Sequence, residues 1–196
     1  DTPAFKKSRN LYALNYAKNA AASDGQLILC EGYMDVIALH AAGYGTAVAT
    51  LGTALTEEQA RIMSKYTKRV ILSYDSDEAG QKATARATGI LADVGMDVRM
   101  LRLYDAKDPD EYIKKFGKER FDALIKSSVP DFEYKRDIIL RKFDINSPEE
   151  KIKAADGLTT VISDYHSSVA RELYILDISQ KPGLPTESLK ADVDRK

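Results

Sequence analysis

Glu31 ends the apolar run Ile28-Leu29-Cys30 and opens the turn Gly32-Tyr33-Met34-Asp35-Val36. Further along, Val70-Ile71-Leu72-Ser73-Tyr74 runs into Asp75-Ser76-Asp77, and the stretch from Val98 to Leu103 leads to Lys107-Asp108-Pro109-Asp110-Glu111. Glu31, Asp75, Asp77, Asp108 and Asp110 therefore each follow a segment built to be buried, where a carboxylate is costly unless it has a use. Acids converging on one place repel and raise one another's pKa values unless a cation compensates. Mg²⁺ takes a few carboxylates together with waters and substrate phosphates. Two such ions can activate an attacking oxygen and stabilise a leaving pyrophosphate. The chemistry indicated is nucleotidyl transfer or phosphodiester hydrolysis.

Each of these residues also has a plainer reading. Asp77 can cap the helix that begins at Glu78, a common task for Asp at a strand-to-helix turn. That does not compete with metal binding, because a cap uses one oxygen. Glu31 can be a solvated strand end. Asp108 to Glu111 can be an ordinary acidic helix start, with Pro109 stiffening the turn. Among the cations, Lys6, Lys7 and Arg9 cluster at the amino end, and Lys82 and Arg86 lie one turn apart on the helix after the Asp pair. All can meet phosphate, although a solvated helix face explains Arg86 better than Lys82. His40 and His166 lack metal-ligand partners at a sensible spacing. Cys30 reads as a small core residue, and the tyrosines read as half-buried packing residues scattered through helical patterns.

The elements that must hold these residues alternate. A helix over Leu11–Ala22 ends before Ser23-Asp24-Gly25. Strands are expected over Gln26–Cys30, Thr46–Thr50, Arg69–Tyr74 and Asp97–Leu103. Helices are expected between them, at roughly Met34–Ala42, from Thr56 to Tyr66, and over Glu78–Asp93. Thr56-Glu57-Glu58-Gln59 has the form of a capping box. Short connections and β-branched apolar strands predict a mainly parallel four-stranded sheet flanked by helices in an α/β domain. Ligands of such sheets bind beyond the carboxyl ends of the strands, where the five acids follow. After Asp110 the strand pattern stops. Short helices flank Gly117, another runs from Pro130 to about Lys142, and Ser147-Pro148-Glu149-Glu150 caps the next. A further helix covers Val169–Ser179, and Thr186 caps a last one over Glu187–Val193. The division expected is a lead-in helix over 1–23, a catalytic α/β domain over 24–126 and an all-helical subdomain over 127–196.

The chain has 196 residues, with Lys+Arg 29 against Asp+Glu 30 and one Cys. A freestanding nucleic-acid binder usually carries a basic excess, so any grip on nucleic acid is local or comes from polypeptide outside this chain. One Cys excludes an internal disulfide and a Cys-rich zinc site, and fits a reducing cytoplasm. No apolar run reaches membrane-span length, and no signal peptide precedes the first helix. The opening Asp1-Thr2-Pro3 lacks an initiator Met, which reads as a piece of something longer.

Four blocks carry a resemblance: Glu31-Gly32-Tyr33-Met34-Asp35-Val36, Ala49-Thr50-Leu51-Gly52-Thr53-Ala54-Leu55-Thr56, Tyr74-Asp75-Ser76-Asp77-Glu78-Ala79-Gly80 and Asp108-Pro109-Asp110-Glu111-Tyr112. Together they resemble the Toprim core of bacterial DNA primases, specifically from about Leu27 to Phe116 and more loosely in the flanks. The resemblance implies a Toprim fold. It also implies that Glu31, Asp75, Asp77, Asp108 and Asp110 form the metal-binding catalytic cluster for Mg²⁺ or Mn²⁺. Glu31 would serve as general base or ligand, and Asp75 and Asp77 as main ligands. Lys6 or Lys7 would sit where incoming nucleotide is held, and the residue pattern adds Arg9 and Lys82 as nucleotide- or phosphate-binding candidates. Ser76 stands where many members have Gly. The implied parent is a cytoplasmic, replisome-associated DNA-directed RNA polymerase that makes short RNA primers on single-stranded DNA from ribonucleoside triphosphates. Zinc would belong only to a domain absent from this chain, and the replicative helicase would be met through another absent domain. The fragment alone is expected not to prime. The rival readings are a Toprim nuclease using the same acids, and a non-catalytic Toprim binding module.

Overall fold

The alternating strands and helices close into a sheet whose core is apolar on both faces. A computed structural model of the chain describes residues 1–2, 5–74, 78–103, 105–180 and 183–196, without the side chains of 78, 79 and 81. It comprises two units, Asp1–Pro130 and Asp131–Lys196.

In the first unit, β1 (Gln26–Cys30), β2 (Ala47–Ala49), β3 (Arg69–Ser73) and β4 (Asp97–Met100) run parallel in the order β2-β1-β3-β4. Leu27, Ile28, Leu29, Val70, Ile71 and Leu72 are buried, as a parallel sheet with both faces covered requires. The covering helices are α1 (Leu14–Asp24), α2 (Tyr33–Ala41), α3 (Glu57–Met63), α4 (Glu78–Asp93) and α5 (Pro109–Lys126). Gly25 ends α1 at φ 72°, a left-handed conformation that a side chain disfavours. Gly117 (φ 79°, ψ 174°) breaks α5 where the sequence suggests two helices.

The sequence expects four strands, and the described residues form five. The fifth, β5 (Val129–Pro130), pairs antiparallel with β4. Two residues, one of them proline, offer no periodicity to read, so this strand is defined only by its partner. Behind the sheet, Phe121 is fully buried against the ring of Tyr44 at 5.0 Å between centroids. The Tyr44 hydroxyl donates to Asp122 Oδ1 at 2.6 Å, which ties the segment after α2 to α5.

The second unit contains α6 (Asp131–Lys142), α7 (Pro148–Ser163), α8 (Ser168–Gln180) and α9 (Thr186–Arg195), around Phe132, Leu158, Ile162, Ile175, Ile178, Leu189 and Val193. Ser147 occupies the cap position of α7 but makes no side-chain cap hydrogen bond, and Pro148 at the first helical position supplies the start signal instead. Thr186 is the first residue of α9 with Pro185 at the cap, so the expected Thr cap is displaced by one residue. Arg136 is buried and held by Asp137 at 2.8 Å and by Asp177.

Asp131 is also buried. Its Oδ2 accepts from the Tyr165 hydroxyl at 2.6 Å and pairs with Lys135 Nζ at 2.8 Å, while Oδ1 has no partner among the described residues. Burial first, then the Asp131 charge and hydrogen bond, push the Tyr165 pKa well above the ordinary phenol value. A raised folded-state pKa contributes stability that is present below the unfolded pKa, about 10, and is lost as pH rises beyond it. Tyr165→Phe is expected to cost roughly 1–3 kcal/mol at neutral pH, because it removes a donor from a buried carboxylate. It should also flatten the alkaline loss of stability. Urea melts of both proteins from neutral pH to above pH 10 check this, and parallel alkaline slopes would contradict it.

Candidate functional site

Register decides which sequence-remote residues meet. Cys30 is aligned with Ser73 in neighbouring parallel strands, so Glu31 and Tyr74, the next residues, leave the sheet side by side at its carboxyl end. Glu31 is exposed and lines a cleft of about 340 Å³ with Thr50, Gly52, Leu55, Tyr74 and Arg86. The Tyr74 pKa is pushed well up, by burial first and then by the neighbouring charge of Glu31, so its hydroxyl remains a donor at neutral pH. Gly52 turns the Leu51-Gly52-Thr53 loop over this cleft at φ 70°.

Asp75 and Asp77 lie outside the described residues. Asp108 caps α5, its Oδ1 accepting from the Glu111 amide at 2.8 Å, as the plainer sequence reading has it. Asp110 pairs with Lys114 one turn on, at 2.6 Å, and that hydrogen bond raises the Lys114 pKa. Among the described residues, no group of three or more His, Cys, Asp or Glu is arranged to hold a metal ion. The donors present are fitting. Glu31, Asp108 and Asp110 offer hard carboxylate oxygens, the buried Ser73 hydroxyl has no hydrogen-bond partner among the described residues, and the neighbouring Cys30 is buried within its strand. By type these are hard oxygen donors, which suit a divalent cation such as Mg²⁺ or Mn²⁺ better than a thiophilic metal, although the described ones are not gathered around one point.

The cations sort differently from the sequence reading. Arg86 lines the cleft, whereas Lys82, the stronger candidate by sequence, is exposed and absent from the lining. A helix face is a single stripe, and one turn of separation does not decide which residue meets a cavity formed by other elements. Lys6, Lys7 and Arg9 lie on an exposed strap whose backbone is tied to the start of α3: Thr56 Oγ1 donates to Ser8 O at 2.7 Å. Thr56 directly follows Leu55, which lines the cleft.

Two residues without an assigned role emerge here. Asp35, within the Glu31-Gly32-Tyr33-Met34-Asp35 block, is buried in the first turn of α2, where the helix dipole favours an acid. A Cβ at Gly32 would come within 3.1 Å of Asp35 Oδ2, so a larger residue there would need that carboxylate to give by a few tenths of an ångström. Tyr74 is the other, hidden in the sequence because it reads as one more strand residue.

A Toprim-like family model matches residues 28–113. A second model, the DnaB-helicase binding domain of primase, matches residues 132–187. That match overturns the expectation that no helicase-binding domain lies within the chain. The domain is a set of amphipathic helices without a local motif, which is why it reads as a generic helical appendage. A DNA primase of Aquifex aeolicus is 46% identical over 195 residues, covering 100% of this chain and 38% of the relative. A DNA primase of Clostridium acetobutylicum is 38% identical over 189 residues, covering 96% of this chain and 31% of the relative. The crystal structure of a DNA primase domain from Pseudomonas aeruginosa superposes with a TM-score of 0.76 at 31% identity, covering 99% of this chain and 62% of that one. The chain thus spans 31% and 38% of the length of these two curated relatives.

Proposed function

The chain belongs to the DNA primase family, and from that premise we propose that it is the Toprim core and following helical part of a polymerase that makes RNA primers on single-stranded DNA. The supporting observation is the strand register, which brings Glu31 and Tyr74 to one end of the sheet beside a cleft that Arg86 borders. The expected division at 126/127 would move to 130/131, because β5 belongs to the sheet: the Toprim domain would run to Pro130 and the helical part from Asp131. The parent would act in the cytoplasm, with ribonucleoside triphosphates and template DNA as substrates.

In this reading Glu31, Asp75 and Asp77, with Asp108 and Asp110, hold Mg²⁺ or Mn²⁺. When bound, the metal supplies charge neutralisation for the attacking oxygen and the leaving pyrophosphate. The chain's own residues do the rest. Glu31, exposed at the cleft, can accept the proton of a primer 3′-hydroxyl. Tyr74 keeps its proton and offers a donor beside Glu31. Arg86, Lys6, Lys7 and Arg9 orient triphosphate and exclude alternative poses, and Lys82 would meet phosphate further out. Residues 132–187, matched by the helicase-binding model, are the segment we assign to contact with a DnaB-type helicase.

Mn²⁺ titration followed by electron paramagnetic resonance tests the metal assignment. Saturable binding is expected for the chain, and its loss is expected on combined Asp75→Asn and Asp77→Asn substitution. Equal, weak binding by both proteins would sink the cluster and favour a non-catalytic Toprim module.

A further inference from the structure

Gln59 is a fully buried polar residue whose carboxamide reaches far beyond its own helix. Its Oε1 accepts from the Thr56 amide at 3.0 Å, which is the local half of the capping box. Its Nε2 donates to Lys7 O at 3.0 Å and to Asn10 O at 2.7 Å. Both amide hydrogens are therefore spent on one segment of remote chain. Thr56 adds a third tie, to Ser8 O at 2.7 Å. A helix cap needs none of these three bonds. Their common effect is to fix the backbone of residues 7–10 as one turn, with the Asn10 side chain closing it on Lys6 O at 2.8 Å.

The consequence lies in the side chains. With its carbonyls turned inward to Gln59 and Thr56, and the Lys7 amide donating to Asp1 Oδ1 at 2.7 Å, the strap keeps Lys6, Lys7 and Arg9 exposed, and none of the three forms an ion pair with a described residue. Three exposed cations on a pinned backbone are better placed for an anion than on a free one, since the backbone share of the ordering cost that would fall on binding is already met. The pin stands at Thr56, next to Leu55 of the cleft that holds Glu31.

We propose that Gln59 is a positioning residue for the nucleotide: it acts through the strap, holding Lys6, Lys7 and Arg9 beside the Glu31 cleft so that they meet the triphosphate. This rests on the nucleotide-binding reading given above. Gln59 itself touches no substrate.

The test is a double-mutant cycle on the chain. Affinity for N-methylanthraniloyl-GTP with Mg²⁺ is read by fluorescence anisotropy. The variants are Gln59→Leu, the triple Lys6→Ala/Lys7→Ala/Arg9→Ala, and the two combined. Gln59→Leu and the triple variant should each weaken binding roughly tenfold, the scale of a lost charge-assisted contact. The combination should be no weaker than the triple, because Gln59 has nothing left to position. Losses that multiply in the combination, or Gln59→Leu binding like wild type, would overturn the proposal while the strap's role stands. A triple variant that binds like wild type would instead remove the strap from the nucleotide site, and the proposal with it. Absence of binding by the wild-type chain would remove both. If Gln59→Leu fails to fold by circular dichroism, Thr56→Val, which loses the Ser8 tie, takes its place in the cycle with the same criteria.

Discussion

Glu31→Gln is expected to lower template-directed primer synthesis by roughly 10²–10⁴-fold, the range that a positioned general base contributes. The assay needs the polypeptide that the curated relatives carry beyond this span, because the chain covers 38% of the Aquifex primase and less of the Clostridium one. Gln matches Glu in size and can still hydrogen-bond, but it carries no charge and takes no proton. Glu31 is exposed, so the substitution leaves the sheet intact. An unchanged thermal midpoint with collapsed synthesis is the signature of a chemical role. Synthesis within about threefold of wild type, a barrier change below roughly 1 kcal/mol, would exclude Glu31 as base or essential ligand. Cleavage of labelled RNA or DNA that is lost with the same substitution would favour the nuclease reading.

Phe121→Ala carries the largest expected cost to folding. Phe121 is fully buried, with the ring of Tyr44 at 5.0 Å and that of Tyr112 at 5.9 Å. Its removal opens a cavity at the point where α5 meets α2 and the sheet. The loss should be roughly 3–5 kcal/mol, which corresponds to a melting-temperature drop of about 10 °C or more. Because α5 starts at Asp108 and Asp110, a loosened α5 also frees two of the proposed ligands from their positions. Differential scanning calorimetry checks the first effect, and the Mn²⁺ titration checks the second. A shift under about 2 °C would show that neighbouring side chains collapse into the space.

Where a signal is local, the sequence carries it in full. Gln26–Cys30 and Glu78–Asp93 read directly as strand and helix, and the Thr56–Gln59 capping box forms as its residues predict. The acidic ends of apolar runs also point to the correct end of the sheet for Glu31. What escapes is relational. Gln59 looks like the ordinary third residue of a cap until Lys7 and Asn10 arrive from far away in sequence. Arg86 and Lys82 look alike on a helical projection, and only the loop from Gly52 to Leu55 separates them. Asp35 sits in plain view within the Glu31 block, yet nothing in its neighbours states that it is buried. The Thr186 cap fails by one residue because Pro185, with its fixed φ, takes the cap position first. The helices after Asp131 contain only amphipathic patterning, and such patterning predicts packing while saying nothing of a partner.

The two-residue strand β5 bears on how this domain survives its own synthesis. A parallel sheet assembles late, since each pairing waits for a crossover, and its bare margins meanwhile invite a second chain to add on. On one margin Pro130 faces Arg99 and has no amide hydrogen to give a newcomer. On the other, the backbone of Tyr12 pairs with Ala49, donating its amide to the Ala49 carbonyl at 2.8 Å. Both margins are thus closed by pieces too short to extend the sheet. A Pro130→Val chain would regain the missing amide, one more group on that margin for a neighbouring strand to pair with.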